Sequence, residues 1–241
     1  QLKKEGFHST YINHTVDTNI YRPYDKKDCR KQLGIPEDIF LFGMVAANKD
    51  NPPRKSFNQV LDAFKRFHDK YPKSGLYFHT MTQQAGGFNI DEYANLLGIG
   101  GCIYKIPSYN LLYTTTPDDM AKIYSTFDCL LIPSQNEGFG VPIIEAQACE
   151  VPVITNDFSA MPDLIIEGET GFKTKLMEKR YTPLGAWIGI PDTNHLYELM
   201  EKMYKMTPDE RNKMGIKGRK FMLDNFDLQK TWKDKWVPFL E

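Results

Sequence analysis

Residues 134–146 read SQNEGFGVPIIEA, with two carboxylates, Glu137 and Glu145, either side of two glycines and a proline. A helix start needs one cap and at most one early acid, so the stretch carries more polar provision than packing requires. Gly138 and Gly140 permit a tight turn and leave backbone amides without side-chain cover. Pro142 suits a first helical turn, where its missing N–H would be unpaired anyway. Bare amides from Gly138 through Phe139 and Gly140 to Val141, together with a helix end equivalent to about +0.5 charge, make an anion site. Glu145 then lies about one turn inside the helix and Glu137 just outside it. A carboxylate is a poor neighbour for phosphate but a good partner for vicinal hydroxyls, because both oxygens accept hydrogen bonds. A diphosphate with a sugar on each side satisfies the whole set. The plainer alternative, a loop acid and a solvated helix residue, leaves the glycines and the proline without a purpose.

A second cluster is Arg54-Lys55, at the start of the first long helix and after a Pro-Pro turn. Two cations at a helix's positive end are electrostatically misplaced unless an anion binds there. Among weaker candidates, His14 is a lone histidine, more often structural than functional. Tyr109, in PSYNLLY, can stack on a base but belongs to a residue type that usually packs. No Asp-x-Asp triplet and no His/Cys cluster with metal spacing occurs, so no metal is expected. GIGGC precedes a strand instead of following one, which argues against a dinucleotide fingerprint, and Gly-x-Ser-x-Gly is absent.

The elements that must position these residues alternate as in βαβ units. Strands are expected at 40–46, 76–81, 102–106, 129–134 and 151–156, with a turn and a short sixth strand in GETGFKT. Phe57, Val60, Leu61, Phe64, Phe67 and Tyr71 define one buried helical stripe. Thr116, Pro117 and the acids at 118 and 119 mark another helix start. After residue 192 the pattern is helical throughout. The expected fold is α/β, a doubly wound parallel sheet with a helical C-terminal tail. Ligands of such sheets bind beyond the carboxyl ends of the strands, near a topological switch point, and residues 134–146 follow one of those ends.

Composition sets outer bounds. Thirty basic against 31 acidic side chains leave a net charge of −1, so no bulk attraction to nucleic acid is expected. No apolar run approaches the roughly 18 residues of a membrane span, and no secretory signal opens the chain, so a cytoplasmic location is expected, peripheral to a membrane at most. Cys29, Cys102, Cys129 and Cys149 form no CxxC pair and read as free thiols. Asn13-His14-Thr15 matches a glycosylation sequon, a triplet common by chance.

PSQNEGFGVPIIEAQACEVPVITND resembles the E-x7-E signature of retaining GT-B glycosyltransferases of family 4, the glycogen-synthase-like group. The likeness extends to HTVDTNIYRP, NPPRKSFNQVLDAF, MAKIYSTFDCLLIPS and GETGF, in the family's order over residues 14 to 175. It implies two facing Rossmann-like domains, of which this chain is the C-terminal, donor-binding one. Residues 1–24 would then close a preceding domain and form the linker, 25–220 would bind the nucleotide sugar, and 221–241 would pack back on that other domain. Glu145 would hold the ribose hydroxyls, Glu137 and the amides would face the donor sugar and diphosphate, and Lys55 would contact the diphosphate. His14 and Tyr109 would lie near the cleft. The resemblance implies transfer of a sugar to a sugar, lipid or protein acceptor without a metal. Three positions depart from the family's glycines, namely Thr15, Ser56 and Glu150, and the family's arginine ahead of Lys55 is missing, with Arg54 or Asn48 as possible replacements. A nucleotide-sugar-binding module without catalysis and a GT-B-type epimerase are the alternatives.

Overall fold

The computed structural model describes residues 4–183 and 185–240. The ordered chain runs α1 (Lys26–Gln32), β1 (Phe40–Val45), α2 (Phe57–Lys70), β2 (Ser74–His79), α3 (Ile90–Leu96), β3 (Ile103–Lys105), α4 (Ser108–Tyr113), α5 (Pro117–Ser125) and β4 (Cys129–Ile132). It continues with α6 (Val141–Ala148), β5 (Val153–Asn156), β6 (Gly171–Thr174), β7 (Leu176–Tyr181), β8 (Trp187–Pro191), α7 (Thr193–Lys205), α8 (Pro208–Asn225), α9 (Leu228–Thr231) and α10 (Val237–Leu240).

Six strands form one sheet in the order β3-β2-β1-β4-β5-β6, every pair parallel. The chain winds outward from β1 to one edge, then returns to β4 and winds to the other, so the switch point lies between β1 and β4. Alternation along β1 feeds two cores. Phe40, Phe42 and Met44 pack with the α2 and α7 stripes on one face, and Leu41 packs with α5 and α6 on the other. Gly43 leaves room for the Phe127 ring, whose nearest carbon would stand 2.2 Å from a β-carbon there. The expected α2 stripe is buried, Phe57 through Phe67 fully and Tyr71 in part.

Caps stop and start the elements where the sequence signals them. Thr116 and Asp119 form a reciprocal capping box with Pro117 in the first turn of α5. Thr207 and Glu210 do the same for α8. The first 24 residues meet the C-terminal turn: the Val16 amide donates to Phe226 at 2.9 Å and the Leu228 amide to Val16 at 3.0 Å. A boundary at residue 220/221 cuts through α8, which runs on to Asn225. The chain breaks instead at Phe226, and Asp227 caps α9. α1, α4, β7 and β8 escaped the sequence reading. PSYNLLY, expected as loop, contains α4, and residues 176–191 form the antiparallel hairpin β7–β8. All four cysteines are free. Asn13 of the sequon is buried, its amide donating to His14 and Asn225 carbonyls at 2.9 and 3.3 Å.

Candidate functional site

The loops that follow β1, β4 and β5 meet above the switch point and are stitched to one another. The Gln135 amide donates to the Arg54 carbonyl at 2.8 Å and its side chain to the Pro53 carbonyl at 3.2 Å. The Arg54 guanidinium returns a bond to the Asn136 carbonyl. Beyond β5, Ser159 accepts from the Glu137 amide at 3.1 Å and donates back to the Glu137 carbonyl. The hairpin adds a fourth anchor, since the Gly189 amide donates to Gln135 at 2.8 Å and Asn156 bonds both Ser134 and Gly189 carbonyls. Glu137 therefore stands on a loop fixed from four directions.

Its carboxylate is clasped by the two expected cations. Lys55 Nζ lies 2.5 Å from Oε1 and Arg54 Nη1 3.5 Å from Oε2, with the Lys55 and Glu137 side chains only 14% and 12% exposed. Directly beyond, α6 starts on Gly140, whose φ of +112° suits glycine and which carries no side-chain cap. Among the described residues, the amides of Gly138, Phe139, Gly140 and Val141 donate to no acceptor. The helix head is thus bare, and Lys55 lines the same cleft as Pro142 in its first turn.

A cleft of about 510 Å³ opens here over the ends of β1, β2 and β4. Lys49, Lys55 and Glu137 line it together with His79, Met81 and Pro142 and with Leu111 and Leu112 of α4. Fixed charges and apolar walls in one cleft suit a ligand that has both characters.

Glu145 sits in different surroundings. It does not line this cleft; one turn into α6, its Oε2 accepts from the Tyr124 hydroxyl at 2.7 Å, and the Tyr21 phenol stands near it. Burial raises its pKa above the usual carboxylate value, and the two phenols offset part of that rise. The same burial, with Glu145 beside them, pushes both tyrosines up. The two glutamates therefore have unlike partners, cations for Glu137 and neutral hydroxyls for Glu145.

The remaining expected residues divide. His14 is brought to the motif, its ring 4.9 Å from that of Phe139, though the side chain is exposed. Tyr109 is 67% exposed, stacks on Tyr113, and does not line the cleft; its neighbours Leu111 and Leu112 do. Asn48 borders the cleft, but its side chain is consumed by Met81 and Phe88 backbone groups at 2.7–2.9 Å, so it is a loop pin and no substitute for a cation. Lys49, one position on and overlooked in the sequence, lines the cleft and makes no ion pair among the described residues.

Residues 108–221 match the profile of the family described as Glycosyl transferases group 1. That stretch is similar to a group 1 glycosyltransferase domain. The chain is 31% identical over 145 residues to the capsular polysaccharide biosynthesis glycosyltransferase CapM of Staphylococcus aureus, covering 59% of this chain and 34% of that one. To a D-inositol 3-phosphate glycosyltransferase of Rhodococcus opacus it is 29% identical over 161 residues, 65% of this chain and 34% of the relative. The chain spans about a third of the length of these curated relatives. Among solved structures, sucrose-phosphate synthase from Thermosynechococcus elongatus superposes with a TM-score of 0.78 at 19% identity, over 99% of this chain and 54% of the other. Anabaena HepE, in complex with UDP and glucose, gives 0.75 at 15%, over 96% and 56%. The fold is Rossmann-like, of the GT-B type.

Two of the glycine departures acquire a physical account in this fold. Ser56 and Glu150 both take left-handed backbone, φ +60° and +61°, the conformation in which glycine alone is unstrained. Thr15 shows no such φ among the described residues, so a side chain is accommodated there without that strain. Reading missed Lys49, His79, Leu111, Leu112 and Tyr124. Of these, only Lys49 carried a local signal, a cation in the loop directly after β1.

Proposed function

We propose that this chain is the donor-binding half of a retaining GT-B glycosyltransferase of family 4, taking a nucleoside-diphosphate sugar and delivering the sugar to an acceptor hydroxyl. In this reading the diphosphate rests on the bare amides at the head of α6, and Lys55 contacts it from the β1 side. Glu137 faces the donor sugar, the base lies in the cleft with α4, and the ribose reaches Glu145, which stands beside the cleft one turn into α6. When the bond from the anomeric carbon to the diphosphate breaks, negative charge collects on the departing phosphate. Cations and amides already in place favour that state over the ground state, at roughly 3 kcal/mol per contact. They do the work that a divalent ion does elsewhere. The observation that carries the proposal is the Lys55–Glu137 pair at 2.5 Å beside an uncapped helix head.

Lys49 supplies a second lysine at the cleft, which weakens the ground for a binding module without catalysis, namely the missing arginine. Acceptor recognition is assigned to residues outside this chain, so the chain alone is expected to bind donor and transfer little. Working in the cytoplasm follows the same reading; no helix among the described residues is long and apolar enough to cross a membrane. The test is a thermal-shift screen of nucleoside diphosphates and their sugar conjugates, followed by a transfer assay on the longer protein. A ligand at about 100 times its dissociation constant stabilises by about 2.7 kcal/mol. No shift with any of them, or product formed from donor with no acceptor present, would defeat the proposal, the latter in favour of an epimerase.

A further inference from the structure

Glu145 is a half-buried carboxylate that pairs with no lysine, arginine or histidine among the described residues. An isolated charge in that setting is costly unless hydrogen bonds satisfy it. What satisfies it is a fully buried phenol. Tyr124 is 0% exposed, sits on α5, and places its hydroxyl 2.7 Å from Glu145 Oε2. The ring has little freedom, lying edge-on to Phe127 with centroids 6.1 Å apart and tilted against Tyr21 at 6.3 Å. α5 is in turn fixed at its head by the Thr116–Asp119 box.

A glutamate on a helix has three side-chain torsions, and a carboxylate that swings freely reads no particular hydroxyl. Anchoring Oε2 to a rigid donor removes that freedom and leaves Oε1 and the unused lone pairs for other donors. The choice of a neutral anchor matters as much as its rigidity. A lysine here would neutralise the carboxylate and draw in phosphate oxygens; a phenol leaves the full negative charge, which repels phosphate and attracts hydroxyl donors. Glu137 shows the opposite arrangement one loop away, with two cations on it.

We propose that Tyr124 is a positioning residue that aims the Glu145 carboxylate at the ribose hydroxyls of the bound nucleotide. This rests on the assignment of Glu145 to the ribose. The phenol does not touch the ligand itself; it acts through the carboxylate, and it converts an otherwise mobile acid into a reader of ribose against deoxyribose.

The experiment is calorimetric titration of this chain with a ribonucleoside diphosphate and its 2′-deoxy counterpart, using whichever of UDP, GDP or ADP raises the melting temperature most. The unaltered chain is expected to prefer the ribonucleotide by about tenfold or more, the worth of a hydrogen bond to a charged group. Tyr124→Phe keeps the ring and its packing, and should cut that preference several-fold while leaving deoxynucleotide affinity nearly unchanged. In a Glu145→Gln background, which removes the buried charge, adding Tyr124→Phe should change the preference no further. A purely structural bond between α5 and α6 would lower the melting temperature of Tyr124→Phe and leave the preference intact, which overturns the positioning role. Loss of preference in Glu145→Gln together with its retention in Tyr124→Phe overturns that role alone. No preference in the unaltered chain overturns the ribose assignment of Glu145 beneath it.

Discussion

His79 gives the structure its sharpest dependence on pH. It ends β2, lines the cleft, and lies parallel to the Tyr77 ring with centroids 6.4 Å apart. Its Nδ1 is buried without a hydrogen-bond partner among the described residues. Burial alone pushes its pKa down to about 4. The unfolded chain takes up this proton near pH 6.5 and the folded chain only near 4, so the unfolded state binds more protons between those values. Stability is therefore full above about pH 6.5 and is lost as pH falls toward 4. Integrating between the two pKa values gives a loss of about 2 kcal/mol on moving from about pH 7 to about pH 5. Other groups titrate in the same range, so the quantity to measure is a difference. Urea unfolding of the unaltered chain and of His79→Gln at both pH values should show the unaltered chain losing about 2 kcal/mol more. Equal losses, or an imidazole resonance titrating near 6.5 in the folded chain, would refute the argument. On the proposed reading, a neutral imidazole would meet the donor as a hydrogen-bonding group and leave the diphosphate charge to the lysines.

Three further expectations can be checked alongside. Lys55→Ala should weaken nucleoside-diphosphate binding by this chain at least tenfold, and cut transfer by the longer protein about a hundredfold; calorimetry and an initial-rate assay that both return near-normal values would remove Lys55 from the site. Glu145→Gln should raise the melting temperature at about pH 7, because burial raises the Glu145 pKa and the ionised form is what burial penalises. That gain should shrink as pH falls toward the ordinary carboxylate value, as the native side chain takes up its proton above that value, and be gone below it; a gain that grows instead reverses the sign of the reasoning. Glu150→Gly relieves left-handed strain of about 1–2 kcal/mol against an entropic cost of about 0.5–1, so denaturant unfolding should show a net gain below about 1.5 kcal/mol. A clear loss of stability would show that the Glu150 side chain contributes more than its backbone costs.

What was legible in the sequence was local. The α2 stripe, the Thr116 cap and the apolar strands are written in spacings of two to four residues, and these appear where expected. The Lys55–Glu137 meeting spans 82 positions, yet both residues flank strands of one parallel sheet, and the rule that active loops follow carboxyl ends was enough to bring them together. The failures share one cause. Asn48 is silent in sequence because its role is three hydrogen bonds to backbone 33 and 40 residues away. The β7–β8 hairpin lacks a tight two-residue turn, and its outer strand is mostly exposed, so neither alternation nor a turn dipeptide marks it. α4 is a six-residue helix without a side-chain cap, too short for a periodic stripe. Nothing in the sequence sets Tyr124 apart from the other buried aromatics; only the position of its hydroxyl distinguishes it.

On the proposed reading, the Lys55–Glu137 pair also bears on why a site for a diphosphate sugar would be built with opposed charges. A lysine side chain carries about 2 kcal/mol of rotamer entropy, which a ligand must overcome if the ammonium is free. Pairing with a carboxylate that is itself fixed on a four-point loop removes that freedom before any ligand arrives. The pairing does not exhaust the ammonium, which has three donors and uses one on Glu137 Oε1. Nor does it exhaust Glu137, which keeps lone pairs for hydroxyl groups. A ligand with phosphate on one side and sugar hydroxyls on the other meets both without breaking the pair, whereas inorganic phosphate meets Lys55 and is repelled by Glu137. The arrangement thus lowers the ordering cost of the cation and selects for a sugar attached to the phosphate in the same stroke. Arg54 adds to this chiefly by holding the Asn136 carbonyl, so its loss should disturb the loop, and sugar selectivity with it, more than the bare affinity for diphosphate.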